Sequence, residues 1–215
     1  MNDNSETKMS VRVEVWADPQ CVWCYIGNPR LNKAVKEFAG DVDVVYRSFE
    51  LHPEAPVVID RDEHIRKQSG MTAEKRARIL SELNNLAVAE GLTYQPDLTQ
   101  PTNSHRALEL LHYADTIGHR AALGERLGSA YFAEGRHIGD LDELVALSRD
   151  VGLDPDDARR ALTERRYANA VDQDAARARA LGARGVPFYV FNDTDSLAGA
   201  QTTQSLLIAI SRNSN

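Results

Sequence analysis

The chain has 215 residues, 42% hydrophobic and 27% charged, with a formal net charge of −7. A sizeable core can form without disulfides, and the negative balance speaks against nucleic acid, whose phosphates ask for a basic face. No apolar run approaches the ~18 residues of a membrane span, and residues 1–9 lack the apolar stretch of a signal peptide. The expected location is therefore the cytoplasm, with no membrane partner.

Residues 1–9 read as a disordered lead-in. Residues 11–16 alternate apolar and polar β-formers and predict a strand, which Asp18-Pro19 breaks. From residue 22 to 38, Ile26, Leu31, Ala34, Val35 and Phe38 recur at helical spacing, with Gly40 and Asp41 marking the end. Residues 42–49 are a second β-rich run, so the first third is a βαβ unit. From about residue 62 to 180 the pattern is helical. Thr72 caps one helix, with Ile79, Leu80, Leu83, Leu86 and Ala87 as its apolar stripe and Gly91 at its end. Asn103 or Ser104 opens the next, which runs to Gly118, and residues 120–132 form a third. Asp140, with Glu143 three residues on, resembles a capping box and opens a fourth, closed by Gly152. Asp154-Pro155 starts a fifth, with proline at its first position; this helix or a successor continues to Leu181. Strand character returns at 186–191, residues 192–195 read as a turn, and 196–198 as a short hairpin partner. Thr202 or Thr203 caps a final helix containing Leu206, Leu207 and Ile210. The expected architecture is α/β: residues 10–60 and 182–215 form a small four-stranded layer, and 61–181 an all-helical insertion that caps it.

The only two cysteines stand as Cys21-Val22-Trp23-Cys24, just past a strand and at the start of a helix. Residues three apart share a helix face, so both sulfurs meet in the first turn. There unpaired backbone N–H groups and the positive helix end favour a thiolate. This is the pattern of a redox dithiol, with Cys21 as attacking nucleophile and Cys24 as the resolving thiol. Three duller readings compete. A stapling disulfide here would close a tiny loop of little entropic benefit. A zinc site needs a close histidine pair, yet the six histidines (52, 64, 105, 112, 119, 137) never stand three to five apart. The third is a pair of inert buried thiols. Asp18 is either a proton acceptor for Cys24 or a helix-entry turn residue. Gly185-Val186-Pro187 leads into a strand, where a trans proline is allowed. His105, His112 and His119 recur every seven residues and could line one helical face. The arginines between 159 and 184 alternate with acidic neighbours, as on a solvated mixed-charge surface. Gly199-Ala200-Gln201, at the mouth of the last helix, offers N–H groups to an anion or is an ordinary helix entry.

Together these segments resemble the DsbA-like thioredoxin-fold oxidoreductases, and within them the cytoplasmic FrnE-type subgroup. The resemblance rests on Cys21-Val22-Trp23-Cys24-Tyr25-Ile26-Gly27, Arg47-Ser48-Phe49-Glu50-Leu51, Asn103-Ser104-His105-Arg106, Ala130-Tyr131-Phe132-Ala133-Glu134-Gly135, Gly152-Leu153-Asp154, Gly185-Val186-Pro187-Phe188 and Ala198-Gly199-Ala200-Gln201. It implies a thioredoxin fold (βαβ…ββα) with a large helical insertion. It implies disulfide exchange on protein or small-molecule thiols, without metal or cofactor beyond the Cys21–Cys24 pair, and with glutathione or another small thiol as co-substrate. It further implies a cis peptide at Val186–Pro187 beside the dithiol and a substrate groove shaped by Val22, Trp23, Val186 and Pro187. His105 would border that groove or brace the helical cap, and the Gln201 region would correspond to where kappa-class glutathione transferases help to hold glutathione. One departure stands out: Val22 replaces the subgroup's usual proline and restores an N–H near the Cys21 sulfur, so the redox potential does not carry over. Two other functions remain. One is a glutathione-dependent transferase or isomerase like 2-hydroxychromene-2-carboxylate isomerase, whose members typically carry serine at the nucleophile position. The other is a redox-inert binding or chaperone module.

Overall fold

The computed structural model describes residues 10–60 and 72–214; the expected lead-in at 1–9 lies outside them. Strand β1 (Ser10–Ala17), helix α1 (Val22–Glu37) and strand β2 (Asp41–Ser48) open the chain. Helices α2 (Ala73–Ala89), α3 (His105–Asp115), α4 (Arg120–Phe132), α5 (Leu141–Asp150), α6 (Pro155–Thr163) and α7 (Ala168–Ala180) follow, with no strand among the described residues of that stretch. Strands β3 (Phe188–Phe191) and β4 (Asp195–Ala198) and helix α8 (Thr203–Arg212) close it. The sheet order is β2-β1-β3-β4. Strand β1 pairs parallel to β2, from Ser10↔Asp41 to Ala17↔Ser48, and antiparallel to β3, with Trp16 opposite Phe188. The fold is a mixed α/β arrangement of four strands and eight described helices.

The apolar residues explain this layering. Val11, Val13 and Val15 of β1 point with Tyr189 and Phe191 of β3 onto Leu31 and Ala34 of α1 and Leu206, Ala209 and Ile210 of α8. The opposite face carries Trp16, Phe188 and Val190, packed with both cysteines, Phe49, Val186 and Ala178 of α7. A larger core joins α3 to α7 through Leu108, Leu110, Leu123, Leu127, Leu144 and Leu147, all buried. The stripe expected on α2 is real but partial: Leu83 and Ala87 bury against Ile26 of α1, whereas Ile79 and Leu86 are half-covered. Caps sit where side-chain chemistry put them. Thr72, Asp140, Asp154 and Thr202 each accept a backbone N–H of the first turn they precede.

Two expectations are corrected, at the aromatic strand and at Asp140, and after Pro155 the alternative of a successor helix is the one realised. The aromatic strand begins at Phe188 rather than 186; Pro187 has no N–H to give a ladder, and Val186 and Pro187 lie in the loop before it, joined by a cis peptide bond. The helix from Pro155 stops at Thr163, because Arg165 adopts a left-handed backbone (φ 53°), and α7 starts afresh. At Asp140 only half of a capping box exists. The carboxylate accepts the N–H groups of Asp142 and Glu143, but the Glu143 side chain turns to Arg136 at 2.6 Å.

Candidate active site

Cys21 is the N-cap of α1, with an extended backbone (φ −82°, ψ 110°). Its Sγ accepts the N–H of Cys24 at 3.4 Å, the bond that a serine or aspartate oxygen usually takes from the third helical residue. The second cysteine of the motif thus occupies the position whose amide a cap must satisfy. On the other side, the Cys21 thiol donates to the Val186 carbonyl at 3.3 Å. Both thiols are free and buried, 6% and 9% exposed. A hydrogen bond from the Cys24 thiol, helped by the amides of Cys24 and Trp23, holds Cys21 below the ordinary thiol range against the opposing cost of burial. Burial, with the Cys21 sulfur beside it, pushes Cys24 well above that range. One thiol is poised as a thiolate and its neighbour as a proton-bearing thiol.

Asp18 closes the helix entry. It is 1% exposed; its Oδ1 accepts the Gln20 N–H at 2.9 Å, and its Oδ2 accepts the Leu51 N–H at 2.8 Å and the Ser104 hydroxyl at 3.0 Å. It ties the strand end to the β2 exit and the start of α3. Burial raises its pKa despite these bonds. Beyond it, Glu50 accepts from Asn103 Nδ2 at 2.7 Å and faces His105 Nδ1 at 3.1 Å, a contact that raises the histidine's pKa. Gly27 lets β3 approach α1: a Cβ there would stand 2.9 Å from the Tyr189 hydroxyl.

The model of the DSBA-like thioredoxin domain matches residues 12–211. The chain belongs to that family. A probable DsbA oxidoreductase from Streptomyces coelicolor is 33% identical, with 94% of this chain and 89% of that chain covered and a TM-score of 0.89. Two more distant solved structures share the fold. One is a 2-hydroxychromene-2-carboxylate isomerase, 20% identical over 94% of this chain and 95% of that one (TM-score 0.72). The other is the cytosolic disulfide reductase DsbM from Pseudomonas aeruginosa with GSH, 21% identical over 94% and 98% (TM-score 0.68). A free dithiol at the cap of α1 in a DsbA-like chain is the equipment of a thiol–disulfide oxidoreductase, whose substrates are thiols and disulfides.

Not every residue singled out in this DsbA-like chain gathers at the sulfur. Trp23 is open to solvent beside it, 43% exposed, and Val186 and Pro187 adjoin it. The Val22 side chain is half-buried and packs against the helical cores, and the amides recorded at the Cys21 sulfur are those of Cys24 and Trp23. Gln201 turns back on its own loop, donating to the Ala198 carbonyl at 2.7 Å. The Gly199 N–H is already given to the Pro187 carbonyl at 2.8 Å, so this glycine has none to offer an anion. Among the described residues, His105 is linked toward the cysteines through Glu50 and Asn103–Ser104 to Asp18. The three histidines share no single face: His105 and His112 lie on α3, and His119 precedes α4, its Nδ1 against the Val151 carbonyl. Among the arginines, Arg159, Arg160 and Arg166 make exposed pairs with Asp142, Asp157 and Glu164. Arg165 and Arg177, however, reach the buried carboxylates of Glu109 and Glu14. Ser48, His112 and Asp174 also meet, but hydroxyl and carboxylate approach the same ring nitrogen, Nε2, at 3.0 and 3.2 Å. A nucleophile–base–acid relay needs the two opposite nitrogens, so this trio is a brace. The sequence reading missed Glu50, Ser104 and Tyr189 as neighbours of the site; only the chain fold brings them there.

Proposed function

We propose that the protein cycles Cys21 and Cys24 between dithiol and disulfide on protein or small-molecule substrates. The Cys21 thiolate attacks one sulfur of a substrate disulfide, forming a mixed disulfide and releasing the other half as a thiolate that takes up a proton. Cys24, losing its proton, attacks the Cys21 sulfur and releases the second half, leaving the enzyme disulfide. Two equivalents of a small thiol such as glutathione return the dithiol and leave as the corresponding disulfide; with the reverse supply, the same steps oxidise a substrate. The observation that carries this reading is the split environment of the pair: Cys21 Sγ sits on the Cys24 amide at the helix end, while Cys24 is buried behind it. The exposed Trp23 and the Val186–Pro187 loop flank the attacking sulfur and are the surfaces against which a substrate rests. A cytoplasmic, FrnE-type role agrees with the cysteine usage. The chain holds two cysteines and both are in the site, so it has no structural disulfide to protect in a reducing compartment.

The test is a variant series with oxidised glutathione or an insulin disulfide as substrate. Cys21→Ser abolishes exchange. Cys24→Ser still reacts once and accumulates the mixed disulfide at Cys21, visible by intact-mass analysis. Full exchange by Cys21→Ser would refute the assignment. A second reading, glutathione-dependent isomerase or transferase chemistry, draws on the likeness to the chromene-carboxylate isomerase fold; it requires a Cys24→Ala variant to keep full turnover.

A further inference from the structure

A cleft of about 490 Å3 runs between α1 and α4, floored by β1 and β2. Small-molecule sites span roughly 300–1,000 Å3. Much of the wall is apolar or glycine, including Val15, Leu92, Leu111 and Gly124. One wall residue is out of keeping with an empty crevice. Arg120 is 6% exposed. Its Nη2 reaches only the Ser48 hydroxyl, at 3.4 Å, its Nε and Nη1 have no hydrogen-bond partner, and among the described residues no carboxylate forms an ion pair with it. A buried guanidinium left in that condition is destabilising, and burial draws its pKa down. The other arginine of the wall, Arg47, is already held by Glu14 at 2.7 Å and Asp174 at 3.5 Å. Asp115 and Asp174 act on Arg120 only from beyond ion-pair distance, so the donors of its guanidinium are left without a carboxylate to bind.

We propose that this cleft binds a small monocarboxylate with an apolar body, the carboxylate paired with Arg120. A guanidinium is a planar fork of donors matched to a carboxylate, and the Glu125 carboxylate in the same wall disfavours an anion of higher charge. A phosphate dianion would ask for further cations. The cleft instead carries Glu125, with its Oε1 already taken by the amides of Asn28 at 3.5 Å and Asn32 at 3.2 Å. Leu92, Leu111 and Pro29 offer the surface for the apolar body. Cys24 and Pro187 also belong to the wall, so the occupant stands beside the buried cysteine and leaves Cys21 free for exchange. The site is independent of the direction in which exchange runs.

Isothermal titration of the full-length protein with phenylbutyrate and its neutral analogue phenylbutyramide tests this. The acid binds roughly tenfold or more tightly than the amide, and Arg120→Met erases the difference. Gly124→Leu fills the cleft at little strain, since a Cβ there has only Leu111 Cδ2 near it, at 3.8 Å; it loses binding of both compounds. Circular-dichroism melting establishes that each variant is folded. If Arg120→Met does not fold, the acid–amide comparison and Gly124→Leu decide. Equal affinity for acid and amide, no binding of the acid at millimolar concentration, or undiminished binding by folded Gly124→Leu would each overturn the proposal.

Discussion

Cys21 performs two tasks with one sulfur atom: it caps α1 and it carries the nucleophile. The hydrogen bonds that complete the cap stabilise the thiolate, because a charged sulfur accepts from the Cys24 amide and thiol better than a neutral one. The pH dependence of alkylation follows. Thiolate appears as pH rises through the thiol pKa, and for Cys21 that pKa is lowered. Its reaction with iodoacetamide therefore reaches half-maximal rate below the ~8.5 of a free cysteine. In Cys21→Ser, burial still holds Cys24 above that range, so it reacts at least ~10-fold more slowly near pH 7. Rates measured across pH at Cys21 in the unaltered protein, resolved by peptide mass, and at Cys24 in Cys21→Ser check both statements; a Cys21 midpoint at or above ~8.5 would contradict the first. At this scale the sequence was most informative for the pair itself, because spacing and helix position are local properties. It was silent on Arg120, whose meaning lies in what fails to surround it, and on Glu50 and Ser104, which approach Asp18 and His105 only once β2 and α3 are packed. It was silent too on where the Val22 and Gln201 side chains turn, onto the helical cores and the Ala198 carbonyl, because sequence gives a neighbour's position and not the direction of its side chain.

Among the elements, the α1–α4 seam shows why two similar glycines are not equivalent. Gly124 and Gly128 lie one turn apart on α4. At Gly128 a Cβ would meet Tyr25 Cδ2 at 2.8 Å. That ring cannot swing aside, being stacked on Phe132 at 4.9 Å and donating its hydroxyl to the Thr93 carbonyl at 3.1 Å. Gly128→Ala therefore destabilises by about 1–3 kcal/mol through overpacking, despite alanine's better helix propensity. Gly124→Ala, with open space, gains about 0.5–1 kcal/mol. Urea unfolding of the two variants side by side tests the contrast, and stabilisation by Gly128→Ala would show that the seam yields. Helix limits at this scale were largely readable, since caps such as Asp154 and stops such as Gly91 are local chemistry. A successor to the Pro155 helix was foreseen as an alternative, but the place of the break at Arg165 was not, because a left-handed arginine leaves no signature in a run of alanines and arginines. The closeness of α4 to α1 was also hidden: glycine spacing on a helix does not say what lies against it.

At the scale of the whole molecule, the helices between β2 and β3 are fastened to the sheet through a buried carboxylate. Glu14 of β1, 2% exposed, receives Arg47 of β2 at 2.7 Å and Arg177 of α7 at 2.5 Å. Nearby, Trp16 donates its indole N–H to the Asp174 carbonyl of α7 at 2.8 Å. Glu14→Gln leaves Arg47, Arg177 and the more distant Arg12 facing an uncharged group and costs about 3 kcal/mol, whereas Asp142→Asn, which breaks an exposed pair with Arg159, costs less than ~1 kcal/mol. Denaturant unfolding of both variants measures the difference, and equal losses would mean that the Glu14 cluster is no fastening. The alternation of strand and helix was enough to foresee four strands around a helical block. Glu14 was not, since a glutamate in an alternating strand ordinarily faces water.

The central position of β1 also has a meaning in time. Cys21 and the Val186 carbonyl that receives its thiol are 165 residues apart, and β3 pairs with a strand made at the outset. At roughly 5–20 residues per second of synthesis, the cysteines wait on the order of ten seconds before the opposite wall of their site exists. Throughout that interval the β3-facing edge of β1 has no mate, and Cys21 lacks the carbonyl that later sits over it. The nascent chain thus carries its dithiol before the Val186 carbonyl and strand β3 exist, and the last strands to be made complete the surroundings of Cys21.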